Sequence, residues 1–407
     1  MKPSRHAAPT GATPMLLAGV RAALATLSVA LVGVLGLMGL ASLRMARRVV
    51  TPAVRTADTR ILGLDVAAQT ITLERTPDTA LPGRYGLFTS GTERYIKLGS
   101  VLAEDDTTVK RKLLTEIGPD SRLAPDAAFS GWYYDGPEQL HLPYSSELIG
   151  SPAGPCPAWF FPGRPDADVW VLQVHGRGTT RAECLRAVPV FHALGFPVLV
   201  VSYRNDGEAP RSRSGTYTLG ATEWRDVDAA IGFARRRGAR RIILMGWSMG
   251  GAISLQVELN SPRRDLIAGL VLESPVVDWR VVLGYQAKLM HVPAAVSGLA
   301  LGALQSDWAA PFTRSAPIAF DRLDAVARAA ELQHPILVLH SDDDGFVPSD
   351  ASHDLVVARP DLVELQVFEV ARHTKLWNYD QERWSTSIRS WLERHGLGPE
   401  HEASPTD

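Results

Sequence analysis

The sequence predicts an α/β fold in which helices cover both faces of a mostly parallel sheet. Across the second half of the 407-residue chain, apolar and β-branched runs alternate with stretches of helical periodicity, as expected for parallel strands joined by crossover helices. One of these runs ends in a serine between glycines, and a long uncharged segment near the amino terminus predicts a helix apart from the sheet.

Six apolar runs give the strands of this sheet, and the stretches between them give its helices. The predicted strands are 169–174, 197–203, 242–245, 267–272, 334–339 and 364–368. The predicted helices are about 180–194, 220–237 and 252–259, with one more between the last two strands. Strand and helix therefore alternate as a parallel sheet requires.

The hexapeptide GWSMGG directly follows the strand at 242–245. A serine at such a turn from strand to helix has an exposed hydroxyl, but the turn is so tight that flanking side chains would clash. Glycine on both sides removes those clashes. The pattern therefore predicts Ser248 as a nucleophile, with Gly246 and Gly250 as the glycines of the elbow.

A serine nucleophile needs a base to take its proton and a carboxylate to orient that base. The strand at 334–339 runs into the segment His340-Ser341-Asp342-Asp343-Asp344, and the last strand runs into Arg372-His373. Both groups follow Ser248 in the order serine, aspartate, histidine. We predict Asp344 as the acid and His373 as the base, with Asp342 as the alternative acid.

With these motifs, residues 156–395 resemble an α/β-hydrolase of the serine-esterase type, a group that includes membrane-anchored lysophospholipase-like hydrolases and serine aminopeptidase-like families. The resemblance implies the α/β-hydrolase fold, with Ser248 as nucleophile, Asp344 as acid and His373 as base. The acid loop begins His340-Ser341 where the family usually has His-Gly, which leaves Asp344 in register.

In such folds two backbone N–H groups bind the negative oxygen of the tetrahedral intermediate. The resemblance assigns them to Met249, which follows the nucleophile, and to Arg177, in the loop after the strand at 169–174. The side chain of Arg177 either binds an acidic group of the substrate or lies on the surface. His175, in the same loop, is predicted to support it.

About sixty residues separate the strands at 267–272 and 334–339, more than a simple crossover needs. We predict a helical lid at 277–333. Its apolar stretches 279–290 and 292–304 either line an acyl pocket or face a membrane, or they cover the sheet as ordinary core; the second is too short to span a bilayer.

Residues 22–43 contain no charged side chain and as a helix would reach about 33 Å, enough to cross a bilayer. They predict one transmembrane helix after a tail at 1–21, and hence a single-pass protein of the cell membrane. The alternative is a cleaved signal peptide, although the apolar run is long and no small-x-small site precedes Arg44. The excess of positive charge after the helix slightly favours a cytoplasmic catalytic domain.

The remaining chain divides into further parts. A stalk is predicted at 44–59 and a small β-rich module at 60–130, where alternating runs are separated by glycine-containing turns. The hydrolase domain is predicted at 131–397, with the aromatic segment 131–144 supplying antiparallel strands at the sheet edge. The polar residues 398–407 are predicted to be disordered.

Composition narrows the partners. The formal net charge is −2, which gives no reason to expect nucleic acid. The sequence contains no phosphate-binding loop or Cys/His cluster, and its three adjacent aspartates lack the alternating ligands of a calcium loop, so no metal or cofactor is predicted. Cys156 and Cys184 either pair or remain free thiols.

These features predict a membrane-anchored serine hydrolase that cleaves carboxylic esters, with lipid or other acyl esters as substrates. A serine aminopeptidase-like peptidase shares all three catalytic residues and is the first alternative. The second is a catalytically silent, membrane-tethered binding module that kept only the scaffold.

Overall fold

The computed structural model describes residues 12–52 and 55–398. Residues 1–11 of the predicted amino-terminal tail, 53–54 of the predicted stalk and 399–407 of the predicted carboxyl-terminal tail therefore lie outside it. Along the described chain, one long helix is followed by a closed β-barrel and then by an eight-stranded sheet with helices on both faces. This order confirms the predicted fold class, with a helix and a β-rich module ahead of an α/β domain.

The first helix, α1, is longer than the predicted transmembrane segment. It spans Ala12–Val50, because its one proline, Pro14, lies in the first turn, where proline is tolerated, and no other proline interrupts it before Pro52. The first part of the predicted stalk at 44–59 is therefore helical. The side chains at 20–37 are exposed, whereas Ala46 and Val50 are buried in the core of the α/β domain.

The β-rich module is a closed, antiparallel barrel with strand order β1-β2-β5-β4-β3-β6. Its strands are β1 Thr59–Asp65, β2 Thr70–Glu74, β3 Tyr85–Phe88, β4 Tyr95–Glu104, β5 Thr108–Leu113 and β6 Asp126–Ser130. Alternate side chains point inward and form a separate apolar core, which is why the period-2 pattern was legible in the sequence.

A buried arginine shapes the loop between β2 and β3. Arg111 on β5 is fully buried, and its guanidinium donates to the carbonyls of Thr79, Leu81 and Gly83 at 2.7–2.8 Å. Burial lowers the pKa of Arg111 to about 10. The loop 79–83 is thereby held in one conformation and, as shown below, it packs against the α/β domain.

The large sheet has the order β14-β13-β12-β11-β9-β10-β8-β7. Its strands are β7 Ser145–Ser151, β8 Gly154–Phe161, β9 Val169–Val174, β10 Val198–Val201, β11 Arg241–Trp247, β12 Ile267–Glu273, β13 Ile336–Ser341 and β14 Val363–Phe368. All neighbours pair in parallel except β7 with β8 and β8 with β10. The prediction of edge strands at 131–144 is wrong: this segment is loop and one short 3-10 turn, and β7 and β8 form the edge.

Helices pack on the two faces of this sheet over two separate apolar clusters. They are α2 Val188–Ala193, α3 Trp224–Arg236, α4 Met249–Asn260, α5 Trp279–Leu289, α6 Ala294–Gln305, α7 Ala310–Thr313, α8 Asp350–Ala358, α9 Leu376–Tyr379 and α10 Gln381–Arg394. Because β9, β11, β13 and β14 are parallel, their carboxyl ends meet at one edge of the sheet, and the predicted site residues lie at these strand ends or directly after them.

Helices α5 to α7 occupy the segment predicted as a lid. Helix α6 packs along the carboxyl-terminal half of α1, where the Ser42 hydroxyl donates to the Val296 carbonyl at 3.0 Å. Several large apolar side chains around α6 are at least half exposed: Leu289, Met290, Leu299, Trp308 and Phe312. An apolar surface on α5 to α7, which we call the lid surface, thus continues from the exposed part of α1.

Candidate active site

Ser248 lies at a strained turn between β11 and α4. Its backbone has φ 51° and ψ −114°, a left-handed conformation that costs a non-glycine residue energy and is often found at functional sites. A Cβ at Gly246 would overlap the Gly250 carbonyl, and a Cβ at Gly250 would overlap the Val174 carbonyl at the end of β9. The elbow can close only because both flanking residues are glycine.

The structure brings the predicted base and acid to this serine. His373 Nε2 lies 3.0 Å from the Ser248 hydroxyl oxygen, and His373 Nδ1 lies 2.9 Å from an Asp344 carboxylate oxygen. The Asp344 side chain is fully buried, whereas that of His373 is 18% exposed. These three side chains come from the loops after β11, β13 and β14, so each is fixed by a strand end.

Asp344 is held as an anion. Its Oδ1 accepts the backbone N–H groups of Phe346 at 3.0 Å and Val347 at 2.7 Å. Burial acts to raise the pKa of Asp344, but the charge of His373 and hydrogen bonds from His340 and His373 outweigh burial and hold the pKa well below its usual range. A carboxylate in this state can orient His373 without taking its proton.

The alternative acid, Asp342, has other partners. Its carboxylate accepts from the Ser349 hydroxyl at 2.7 Å and lies 3.1 Å from His353 Nε2, and its side chain is half exposed. The structure therefore gives the contact with His373 to Asp344 alone among the three adjacent aspartates.

The loop at 175–178, which we call the oxyanion loop, lies directly beside the elbow. A Cβ at Gly176 would come within 3.4 Å of the Ser248 Cβ. Met249 is the first residue of α4, where backbone N–H groups have no acceptor within the helix. The N–H of Arg177 has no hydrogen-bond partner among the described residues, so both predicted donors are free to bind an oxygen.

Buried polar side chains hold the oxyanion loop. His175 stacks on Tyr203 with ring centroids 4.2 Å apart, and its Nε2 lies 2.9 Å from Asp206. The Tyr203 hydroxyl donates to the Gly176 carbonyl at 2.9 Å, and the Glu183 carboxylate accepts the Gly176 N–H at 2.8 Å. His175 thus supports the loop, as its position after β9 predicted.

The side chain of Arg177 is partly buried and extends toward α1. Its guanidinium donates to the carbonyls of Arg48 at 3.0 Å and Thr51 at 2.9 Å, both at the carboxyl end of α1. Burial lowers the pKa of Arg177. A contact across 126 to 129 sequence positions leaves no signal in a single sequence.

Sequence reasoning also missed two buried charged residues below the elbow. Glu273 at the end of β12 is fully buried and accepts the indole N–H groups of Trp247 and Trp384, each at 2.9 Å; burial raises its pKa despite the opposing charge of Arg186. Arg186 donates to the Thr374 carbonyl at 2.7 Å, next to His373. Their aromatic and backbone partners are distant in sequence, so no local pattern marks them.

One cavity, of about 370 Å³, reaches His373. Its walls combine the acid and base loops with the oxyanion loop and with the end of β6 in the barrel. They are Arg55, Asp78, Phe129, Ser130, Gly131, Trp132, Gly178, Thr179, Glu183, Asp344, Gly345, Phe346, Arg372, His373, Thr374 and Lys375. None of these residues belongs to the predicted lid at 277–333; a separate apolar cavity of about 180 Å³ lies between α1, α5 and α6.

Cys156 and Cys184 are both buried free thiols. Burial raises the pKa of Cys156 to about 11 and that of Cys184 well above the usual value, so neither is a reactive thiolate at neutral pH. Within residues 12–52 and 55–398, no group of His, Cys, Asp and Glu side chains is arranged to hold a metal ion.

Two family models match the chain. Residues 171–386, more than half of the chain, match the alpha/beta hydrolase family. Residues 60–130, which form the barrel, match a domain of unknown function (DUF8805). Among curated proteins no match was found.

Three solved structures of hydrolases illustrate what this chain is similar to. An esterase from Pyrococcus furiosus has 19% identity and a TM-score of 0.50, with 64% of this chain and 94% of that esterase covered. An esterase from a Rhodococcus species has 19% identity and a TM-score of 0.44, covering 61% and 98%. A puromycin-hydrolyzing peptidase from Mycobacterium tuberculosis has 18% identity and a TM-score of 0.48, covering 82% and 46%. At 19% identity the likeness to the Pyrococcus furiosus esterase establishes the fold alone.

Proposed function

The chain belongs to the alpha/beta hydrolase family, and from that premise we propose that it is a serine hydrolase that cleaves carboxylic esters. The observation that carries this proposal is the 3.0 Å contact between the Ser248 hydroxyl and His373 Nε2, at a serine held in a strained conformation. Such strain persists only where the surrounding structure enforces it, and here two glycines and the end of β9 do so.

The geometry supports a double-displacement mechanism. Ser248 Oγ attacks the ester carbonyl while His373 Nε2 takes the hydroxyl proton, and Asp344 stabilises the imidazolium through Nδ1–H. The N–H groups of Met249 and Arg177 bind the oxygen that becomes negative. His373 then gives the proton to the leaving alcohol, and water, activated by the same histidine, hydrolyses the acyl-enzyme to release the acid.

The cavity at His373 is the proposed binding place of the substrate. It is adjacent to His373, the proposed base, and to the oxyanion loop. Its walls carry several charged side chains, among them Arg55, Glu183 and Arg372. We therefore expect the part of the ester that lies there to be polar. The apolar lid residues 279–304 remain the proposed contact for an acyl chain that extends from the elbow on the other side.

We further propose that α1 anchors the enzyme in a membrane. The helix is long and apolar enough to cross a bilayer, and the apolar window within it is not buried in protein. Its exposed part continues into the lid surface, where α6 carries no charged residue. A helix without charged residues is expected in a protein core or in lipid. Because α6 is exposed on one side, we propose that this side faces the membrane. An enzyme whose lid meets the membrane is placed to take lipid esters, which are therefore the favoured substrates.

The catalytic proposal is tested by labelling the full chain with a fluorophosphonate probe and by assaying esters from acetate to long-chain acyl groups. Wild type is expected to label and to hydrolyse esters, whereas Ser248→Ala should lose labelling and lower turnover on the order of 10⁴-fold or more. Faster turnover of aminoacyl amides than of esters would favour the peptidase instead. A folded wild type that neither labels nor turns over any substrate would be a silent scaffold.

The anchor is tested by membrane fractionation. Leu31 and Leu35 on α1 are 59% and 56% exposed, and Leu148 on β7 is 69% exposed. The double variant Leu31→Arg, Leu35→Arg should leave the membrane pellet, because each charge at a bilayer centre costs about 2.5–3.5 kcal/mol on insertion scales, whereas Leu148→Arg should stay in it. A mature protein whose mass lacks the first forty or so residues would instead identify a cleaved signal peptide.

A further inference from the structure

The end of α1 is hydrogen-bonded to the oxyanion loop. The helix ends at Val50, and three of the carbonyl oxygens in its last turn and just beyond it accept bonds from residues beside the elbow. Arg177 donates to the carbonyls of Arg48 and Thr51, and the Tyr217 backbone N–H donates to the Val50 carbonyl at 2.8 Å. A helix that we place in the membrane is thus attached to the side chain of Arg177, the residue whose backbone N–H is a proposed oxyanion donor.

Helix geometry explains why a cation belongs at this position. The last four carbonyls of a helix lack intrahelical partners, and the helix dipole places partial negative charge there. The Arg177 guanidinium supplies both hydrogen-bond donors and positive charge, and no carboxylate within residues 12–52 and 55–398 forms an ion pair with it. It therefore acts as a cap contributed by a different part of the chain.

Tyr217 adds a second connection. Its ring lies 5.9 Å from the Arg177 guanidinium carbon. Burial raises the pKa of Tyr217 to about 12. Tyr217 thus donates to the end of α1 through its backbone, while its ring lies beside the Arg177 guanidinium.

The two halves of the oxyanion loop differ in what holds them. His175 and Gly176 are fixed by Tyr203 and Glu183, which belong to the α/β domain. Arg177 is held by the end of α1 and lies beside Tyr217. Loss of the α1 contact should therefore leave the loop folded and change only the direction of the Arg177 N–H.

We propose that Arg177 is a positioning residue that ties the last turn of α1 to the oxyanion loop, so that the attachment of this helix sets the rate of ester hydrolysis. The inference rests on the proposed function. Because the oxyanion forms only after attack, a misdirected N–H weakens transition-state binding and leaves substrate binding unchanged. The last turn of α1 in this way supports catalysis, whereas the rest of the helix serves as the anchor.

The test compares Arg177→Met with Arg44→Met in the full chain in detergent, using p-nitrophenyl butyrate. Methionine keeps the apolar stem of arginine but donates no hydrogen bond, and Arg44 is an exposed residue of the same helix. Arg177→Met is expected to lower kcat about 10- to 100-fold at unchanged KM and to slow fluorophosphonate labelling by a similar factor. Arg44→Met is expected to match wild type.

An unchanged kcat in folded Arg177→Met, or a rise in KM alone, would overturn this inference. Ester hydrolysis by the wild type would still support the proposed function in that case. Absence of both turnover and labelling in wild type would overturn both. If Arg177→Met does not fold, Arg177→Gln takes its place: both carbonyls accept from Nη2 of Arg177, and the shorter glutamine amide cannot reach them, so kcat should again fall at constant KM. A wild-type kcat in that variant would contradict the inference.

Discussion

Two segments beside Ser248 are attached to parts of the chain outside the large sheet, and the attachments differ in kind. The oxyanion loop is joined to α1 by a few hydrogen bonds at a helix end, chiefly those of Arg177. The segment 373–379, which begins with the base, is joined to the barrel by a broad interface. A narrow attachment fails when one side chain is lost, whereas a broad one distributes the loss over many contacts.

The barrel interface combines backbone, charge and aromatic contacts. Asn378 donates to the Arg84 carbonyl at 2.7 Å, and a Cβ at Gly83 would overlap the Asn378 carbonyl. The Trp377 ring lies 5.5 Å from that of Tyr133. Arg111 holds the loop that carries Gly83, so a residue in the barrel interior determines the surface that meets the segment after His373.

The largest expected effect concerns Asp344, the proposed acid that orients the base at the start of the segment 373–379. Asp344→Asn is expected to lower kcat about 10⁴-fold, the loss typical when the acid of a serine triad becomes an amide, because the histidine then adopts the wrong tautomer. Steady-state kinetics on an ester measures it. Asp342→Asn is the matched control and should retain activity. Loss of activity in Asp342→Asn together with normal activity in Asp344→Asn would instead assign the acid to Asp342.

Next in size is a change that forces the barrel and the base segment apart. Gly131 follows β6, and a Cβ there would lie 2.6 Å from the Thr374 carbonyl oxygen. Gly131→Ala should therefore destabilise the fold by about 1–3 kcal/mol, as overpacking does, and should also lower kcat, because the displaced carbonyl adjoins His373. Urea unfolding and kinetics measure the two effects.

The control for that change is Gly118→Ala, where an added Cβ would meet no atom within 4 Å. It should be neutral or stabilise the fold by less than about 1 kcal/mol. Equal behaviour of the two variants would mean that the barrel does not press on the base segment.

The elbow and the order of its partners could be predicted because each depends on residues close in sequence. Ser248 follows its own strand, and Asp344 and His373 follow theirs, so strand ends that meet at one sheet edge bring them together. The α1 attachment could not be predicted, because Arg177 meets carbonyls more than a hundred positions away. Every helix ends in such backbone carbonyls whatever its residues are, so no residue type in the sequence marks this contact.

The failed prediction of edge strands at 131–144 has a physical reason as well. The segment is rich in aromatic residues, which strands also favour, but here Trp132, Tyr133 and Tyr134 pack against Arg55, Lys97 and Trp377 between the two domains. A high aromatic content predicts that these side chains are buried, but which residues bury them depends on tertiary structure.

The smallest expected effect tests whether the barrel attachment is as distributed as its contacts suggest. Lys375 Nζ lies 2.8 Å from Asp78 Oδ1, with 14% and 37% of the side chains exposed. A double-mutant cycle with Lys375→Met and Asp78→Asn should give a coupling free energy of unfolding of about 0.2–1 kcal/mol, because solvent screens a partly exposed pair. A much larger coupling would mean that this one ion pair holds the barrel against the base segment, and the barrel side would then be as narrow an attachment as that of α1.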